Sequence, residues 1–223
     1  MVAAEDLRFP LAKILIFAKA PVPGACKTRL IPALGREGAA RLAGELLIST
    51  VERACETRLA PVELWCAPDT SHSLFRQLAG RYPLSLQAQR GTDLGERMGG
   101  ALRVALASAE RAVLIGTDCP DLDAAYLEHA LDALGEVPVV LGPAADGGYV
   151  LLGVNRDAAA ALDALFAVMP WGSDSVAAKT RERIRAAGLR WAELATLVDI
   201  DRPEDLARGH ERNQTFAQVK RAF

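Results

Sequence analysis

Histidine is nearly missing from this 223-residue sequence: only His72, His129 and His210 occur, and none lies in a distinctive segment. That leaves little room for Ser-His-Asp, Cys-His or histidine–metal chemistry. Cysteine is sparse as well. Cys26, Cys55, Cys66 and Cys119 form no Cys-x-x-Cys pair and have no histidine at ligand spacing, which argues against a structural zinc and suits a reducing compartment. Long apolar runs are absent. Nothing approaches the roughly 18 residues of a membrane helix, and the best run, residues 14–18, has the length of a buried strand. Charge of one sign is not in excess: 26 Lys and Arg face 28 Asp and Glu, a net of −2, so there is no electrostatic footprint for long nucleic acid. The first ten residues carry Glu5, Asp6 and Arg8 and do not read as a secretory signal. With 51% apolar and 24% charged residues, the composition is that of a folded protein, expected in the cytoplasm. Chemistry therefore falls to carboxylates, basic side chains and backbone.

What is present is an alternation of short β-like runs and longer helical patterns. Strands are predicted at 13–18, 61–67, 84–88, 112–116, 138–142 and 149–154, with a last one near 195–200. Between them, Leu42, Leu46, Leu47, Val51 and Ala54 make one apolar stripe, and Leu94, Met98, Ala101, Leu102, Ala105 and Ala109 make another. Leu127, Ala130, Leu131 and Leu134 repeat the pattern, as do Val176, Thr180, Ile184 and Ala187. Unbroken apolar strands alternating with helices predict an α/β fold, one domain over 1–223 with a mostly parallel sheet covered on both faces. Its core runs from about 11 to 212, and 214–223 reads as a loose tail. In such sheets the ligand sits beyond the carboxyl ends of the strands, where the unusual residues of this sequence fall.

Directly after the first strand, residues 17–30 hold two prolines, Gly24 and the cations Lys19, Lys27 and Arg29. A stiffened basic loop suits a di- or triphosphate; it equally describes a solvated surface loop, on which Lys27 is expected to be exposed. It is not a Walker A motif, and no Gly-x-Gly-x-x-Gly follows a strand. Asp118, after the apolar run 112–115, is placed to hold Mg²⁺ against phosphate oxygens, while Asp121 or Asp123 caps the next helix. Asp146-Gly147-Gly148 reads first as a hairpin turn and second as a cleft edge that lets a ligand approach the backbone. Asp201 with Glu204 is a helix-start signature, and the same carboxylate could share a metal with Asp118. Asp93 and Glu96 form another capping pattern, with Gly91-Thr92 placed to read a nucleobase. Trp171-Gly172-Ser173 reads as a helix start in preference to an aromatic platform. Cys119 reads as packing, since no base is assigned to it.

The segments FAKAPVPGACKTRL, QRGTDLGERM, IGTDCPDL, GPAADGGYVLLG and DIDRPEDL occur in that order across residues 17–206. Together they resemble a family of bacterial glycosyltransferase-like proteins, of the radical-SAM/selenodomain-associated transferase type, within the nucleotide-diphospho-sugar transferases of the A-type fold. More distantly the set is similar to phospholactate and molybdenum-cofactor guanylyltransferases. The resemblance implies that the first loop, from Ala18 and Lys19 through Gly24 to Lys27 and Arg29, wraps nucleotide phosphates, with Gly91 and Thr92 near the base. It implies Asp118 as the main Mg²⁺ or Mn²⁺ ligand with Asp201, or else Asp199, as the second, and Asp146, Gly147 and Gly148 at the acceptor or sugar site. Two features depart from the pattern: no Asp-x-Asp occurs at Asp118, and the first loop lacks the glycine-dense run of many nucleotidyltransferases.

Three functions follow as expectations. The first is a metal-dependent, nucleotide-utilising glycosyltransferase-like enzyme with a nucleotide-sugar donor and a small acceptor, in which Asp118 and Lys27 serve the leaving diphosphate and Asp146 the acceptor hydroxyl. The second is a nucleotidylyltransferase moving NMP from an NTP to a small phosphorylated acceptor. The third is a non-catalytic nucleotide-binding module, for which Asp118→Asn would leave metal-free nucleotide affinity intact.

Overall fold

The computed structural model describes residues 6–206, so the expected tail at 214–223 and His210 lie outside the described residues. Seven strands form one sheet: β1 (Ala12–Lys19), β2 (Val62–Ala67), β3 (Leu84–Ala88), β4 (Arg111–Ile115), β5 (Val139–Pro143), β6 (Tyr149–Asn155) and β7 (Trp191–Glu193). Their order is β3-β2-β1-β4-β6-β5-β7. Strand β6 runs antiparallel between β4 and β5, and every other pairing is parallel, as the unbroken apolar runs required.

Helices α1 (Ile31–Glu56), α2 (Ser73–Arg81) and α4 (Ala124–Ala133) cover one face; α3 (Leu94–Leu106), α5 (Leu162–Leu165) and α6 (Val176–Ala186) cover the other. The period of two along β1 divides the core: Ile14 and Ile16 pack with Leu47, Val51 and Leu127, whereas Leu15 packs with Met98, Leu102 and Ile184. Local chemistry fixes the helix starts. Asp93 accepts the Glu96 N–H at 2.8 Å, and Glu96 reaches back to the Thr92 N–H at 2.7 Å, a closed capping arrangement. Asp123, not Asp121, caps α4 through the Tyr126 N–H at 2.8 Å. His72 caps α2, its ring nitrogen accepting from the Leu74 N–H at 3.3 Å.

Three expectations change. The last strand forms at Trp191–Glu193, not at 195–200: the ladder of β7 pairs with Val139–Leu141 of β5, and only the isolated bridge between Ala144 and Leu197 continues it. Beyond it, residues 194–200 follow the sheet edge through single bonds, Leu197 N–H to Pro143 O at 3.0 Å among them. The stripe on α3 loses Leu94, which is 41% exposed at the helix start. Ala187 caps α6 from the exposed side and takes no part in the core. Among the described residues, no helix is long and apolar enough to cross a membrane.

Candidate active site

The loop after β1 folds down onto the sheet edge. Leu30 is fully buried with Leu42, Leu46 and Ile200, which anchors one end of the loop. Lys27 takes a left-handed backbone (φ 46°, ψ 42°), costly for a residue with a Cβ. The turn sends its side chain inward, where only 4% remains exposed. The expectation of an exposed Lys27 is thereby corrected. Its ammonium donates to Asp118 Oδ1 at 2.8 Å and to the Ile200 carbonyl. Arg29, two residues on and half exposed, pairs with Asp201. Of the three loop cations, Lys19 alone has no hydrogen-bond or ion-pair partner among the described residues.

Asp118 stands where β4 ends. Its carbonyl accepts the Ile200 N–H at 2.8 Å, stitching the returning segment 197–201 beside it, and its carboxylate keeps 46% exposure. Next to it, Cys119 is buried and its thiol is pushed up to about 12 by burial, which removes it as a nucleophile at neutral pH. All four cysteines are free thiols.

The β5–β6 hairpin supplies the opposite rim. Asp146 Oδ1 accepts the Gly148 N–H at 2.8 Å, so the segment forms the turn read from its sequence. Gly147, at φ 89°, is needed for a close approach: a Cβ there would lie 2.1 Å from the Asp174 carbonyl oxygen. Asp201 does not cap the turn that follows it. Asp205 accepts the N–H groups of Asp201 and Arg202 instead, at 3.1 and 2.7 Å, leaving the Asp201 carboxylate to Arg29. Asp199 is partly buried, and its carboxyl is pushed up to about 6, first by burial and then by Asp146, Asp118 and Asp201.

These parts enclose a cleft of about 610 Å³ at the carboxyl edge of the sheet. Lys19, Lys27, Arg29, Asp118, Asp146 and Asp201 line its charged side, together with Gly148. Phe17, Leu94, Met98, Leu114, Tyr149 and Trp171 form an apolar floor. Ala18, Gly24, Gly91, Thr92 and Gly147 do not line it. The polar groups of Gly91 and Thr92 are engaged locally: Arg97 donates to the Gly91 carbonyl at 3.0 Å, and Thr92 serves Glu96. Asp199 faces a smaller neighbouring hollow of about 120 Å³ with Asp146 and Asp201.

One contributor reads otherwise in the sequence, and a second leaves no signal there. Trp171 lies in a turn five residues before α6 and not at a helix start; it stacks on Phe166 at 6.5 Å and lines the cleft. It can sit there because Gly95 on α3 has no side chain: a Cβ would lie 2.8 Å from the indole. The spacing of Gly95 and Gly99, one helical turn apart, was the available signal. Gln89 is the second, its amide donating to the carbonyls of Ala18 and Trp65 at 3.2 and 2.9 Å and tying three strand ends together.

The donor set suits a hard divalent cation in kind, since Asp118, Asp199 and Asp201 offer carboxylate oxygens, and Asp199, raised first by burial, is raised further by its acidic neighbours. In the arrangement described, Asp118 and Asp201 are already matched to Lys27 and Arg29. Among the described residues no three acidic, histidine or cysteine side chains converge as they stand to hold an ion.

A mostly parallel sheet of this order with a charged cleft at its carboxyl edge is the fold of the nucleotide-diphospho-sugar transferases. One solved relative, a provisionally assigned nucleotide-diphospho-sugar transferase from Desulfovibrio desulfuricans G20, is 30% identical with a TM-score of 0.81, covering 94% of each chain. The chain belongs to the DUF2064 family, described as an uncharacterized protein conserved in bacteria, whose model matches residues 50–173. That span includes Asp118 and Asp146 but neither the first loop nor Asp201. Two more distant structures share the fold. A CMP:2-keto-3-deoxy-manno-octonic acid synthetase complexed with CTP is 15% identical, TM-score 0.59, covering 93% of this chain and 99% of its own. Rv0371c of Mycobacterium tuberculosis H37Rv, in complex with manganese, is 18% identical, TM-score 0.55, covering 91% and 100%. No curated protein matches the sequence.

Proposed function

We propose that the protein is a nucleotide-dependent transferase of the glycosyltransferase-like kind, taking a nucleotide sugar as donor and a small molecule as acceptor. The observation that carries this reading is the convergence of Lys19, Lys27 and Arg29 with Asp118, Asp146 and Asp201 on one cleft. Lys19, unpartnered at the end of β1, binds the donor's diphosphate. Asp118 and Asp201 are the carboxylates that would hold Mg²⁺ or Mn²⁺, with Asp199 the alternative to Asp201. When bound, such an ion neutralises charge on the leaving diphosphate. Asp146, across the cleft, has one oxygen fixed by Gly148 and serves as the base that takes the acceptor's proton. The apolar floor excludes water from the reacting atoms. The free thiols fit a cytoplasmic setting.

Nucleotidylyl transfer is the second reading. Its support is the fold shared with the CTP-bound synthetase and a loop whose cations would serve in-line attack at an α-phosphate equally well.

A thermal-shift panel of nucleotide sugars and nucleoside triphosphates, each with and without Mg²⁺ or Mn²⁺, tests both, since a ligand of the native state raises the melting temperature. Metal-dependent stabilisation by a nucleotide sugar, with nucleoside diphosphate released on adding acceptor, is expected. Pyrophosphate released from a triphosphate would establish the second reading. No shift with any nucleotide would overturn both.

A further inference from the structure

Two of the three loop cations sit on the two carboxylates that a divalent ion would use. Lys27 is nearly enclosed between Asp118 and the Ile200 carbonyl, and Arg29 is paired with Asp201. An ion approaching these carboxylates meets two positive charges at hydrogen-bond distance, a repulsion that only movement of the side chains relieves. Movement is available. Lysine and arginine are long and flexible, Arg29 is half exposed, and both line the cleft that Lys19 also lines.

The charges of the cleft lining point the same way. Lys19, Lys27 and Arg29 balance Asp118, Asp146 and Asp201, so the lining is neutral as it stands. A divalent ion alone, or a diphosphate alone, unbalances it; the two together do not.

We propose that Lys27 and Arg29 are exchangeable counter-ions. They neutralise Asp118 and Asp201 in the empty cleft, and they turn to the donor's diphosphate when a divalent cation occupies those carboxylates. The inference rests on the donor reading above and adds the coupling: each ligand lowers the barrier to the other by giving the displaced charges somewhere to go. It also accounts for the left-handed backbone of Lys27, which aims a loop cation at Asp118 where an ordinary turn would leave it facing water.

The experiment is a Mn²⁺ titration without nucleotide, following free Mn²⁺ by electron paramagnetic resonance in wild type, Lys27→Met and Arg29→Gln. Removing a competing cation is expected to tighten Mn²⁺ binding roughly tenfold for Lys27→Met and about threefold for the more exposed Arg29→Gln. Structural damage would weaken binding, so a gain in affinity separates exchange from a merely structural role. Arg29→Gln alters an exposed pair and tests the idea even if Lys27→Met folds poorly. Unchanged or weaker binding in both variants would overturn the proposal, as would Mn²⁺ retained by none of the three proteins. The donor reading fails separately, by the absence of any nucleotide-dependent shift in wild type.

Discussion

Two lysine–carboxylate pairs in this protein have nearly the same length and opposite surroundings. Lys13 and Glu63 meet at 2.7 Å on neighbouring strands, with side chains 20% and 10% exposed; Lys27 and Asp118 meet at 2.8 Å at the sheet edge, with 4% and 46%. In the first pair the carboxylate is enclosed and also accepts the Trp65 indole N–H at 3.0 Å. In the second the cation is enclosed and the carboxylate opens to a cleft. Donor number does not separate the pairs, since Asp118 Oδ1 also accepts the Thr117 hydroxyl at 3.3 Å; an enclosed carboxylate is fixed structure. A carboxylate that looks outward past its partner can exchange that partner, and distance alone does not tell the two apart.

The largest break in this comparison comes from Asp118→Asn, expected to lower turnover about 10³-fold while shifting the melting temperature by only a few degrees, read by product formation at saturating donor alongside a melting curve. The mirror experiment is Glu63→Gln, which leaves the Lys13 ammonium unmatched inside the sheet. It should cost about 1–3 kcal/mol in denaturant unfolding and leave nucleotide binding unchanged in calorimetry. Lys19→Ala sharpens the contrast between paired and free cations: donor affinity falls about tenfold, with no loss of stability, because no partner is left behind.

The smallest effect is a pH dependence. Burial and its acidic neighbours push the Asp199 carboxyl up to about 6 in the fold, from an ordinary value of 3.8. Between these values the folded state keeps a proton that the unfolded state has released, so stability falls as pH rises through that window. Asp199→Asn should therefore raise the melting temperature at pH 7 to 8 and leave it unchanged at or below pH 3.8. An equal shift at both pH values would assign the strain to packing instead of charge.

Much of the scaffold was legible because its causes are local. Apolar runs such as 112–115 and stripes such as Leu42 to Ala54 became β4 and the buried face of α1. The capping pattern at Asp93 and Glu96 formed as read. For the cleft, sequence brought Lys19, Asp118 and Asp146 to one place, because strand ends in a parallel sheet share an edge. What it could not convey were choices settled between distant segments. Nothing within the first loop says that Lys27 turns inward, since its partners Asp118 and Ile200 arrive much later in the chain. Thr92 looked available for a base until Glu96 was seen to occupy both its N–H and its hydroxyl. Trp171 reads as a helix start because the glycine that seats it, Gly95, lies on another helix, as does Gly99, which makes room for its stacking partner Phe166.

The bonds that close the cleft span nearly the whole sequence: Lys27 to Ile200 across 173 positions and Arg29 to Asp201 across 172. Contacts of such separation are slow for a chain to find, because the entropy of closing the loop between them is lost before the contact rewards it. The sheet centre, by contrast, gathers from shorter loops. Occupancy of the cleft by a ligand therefore doubles as a signal of completed folding, and a chain stalled before 197–201 docks would carry a finished core without a usable site.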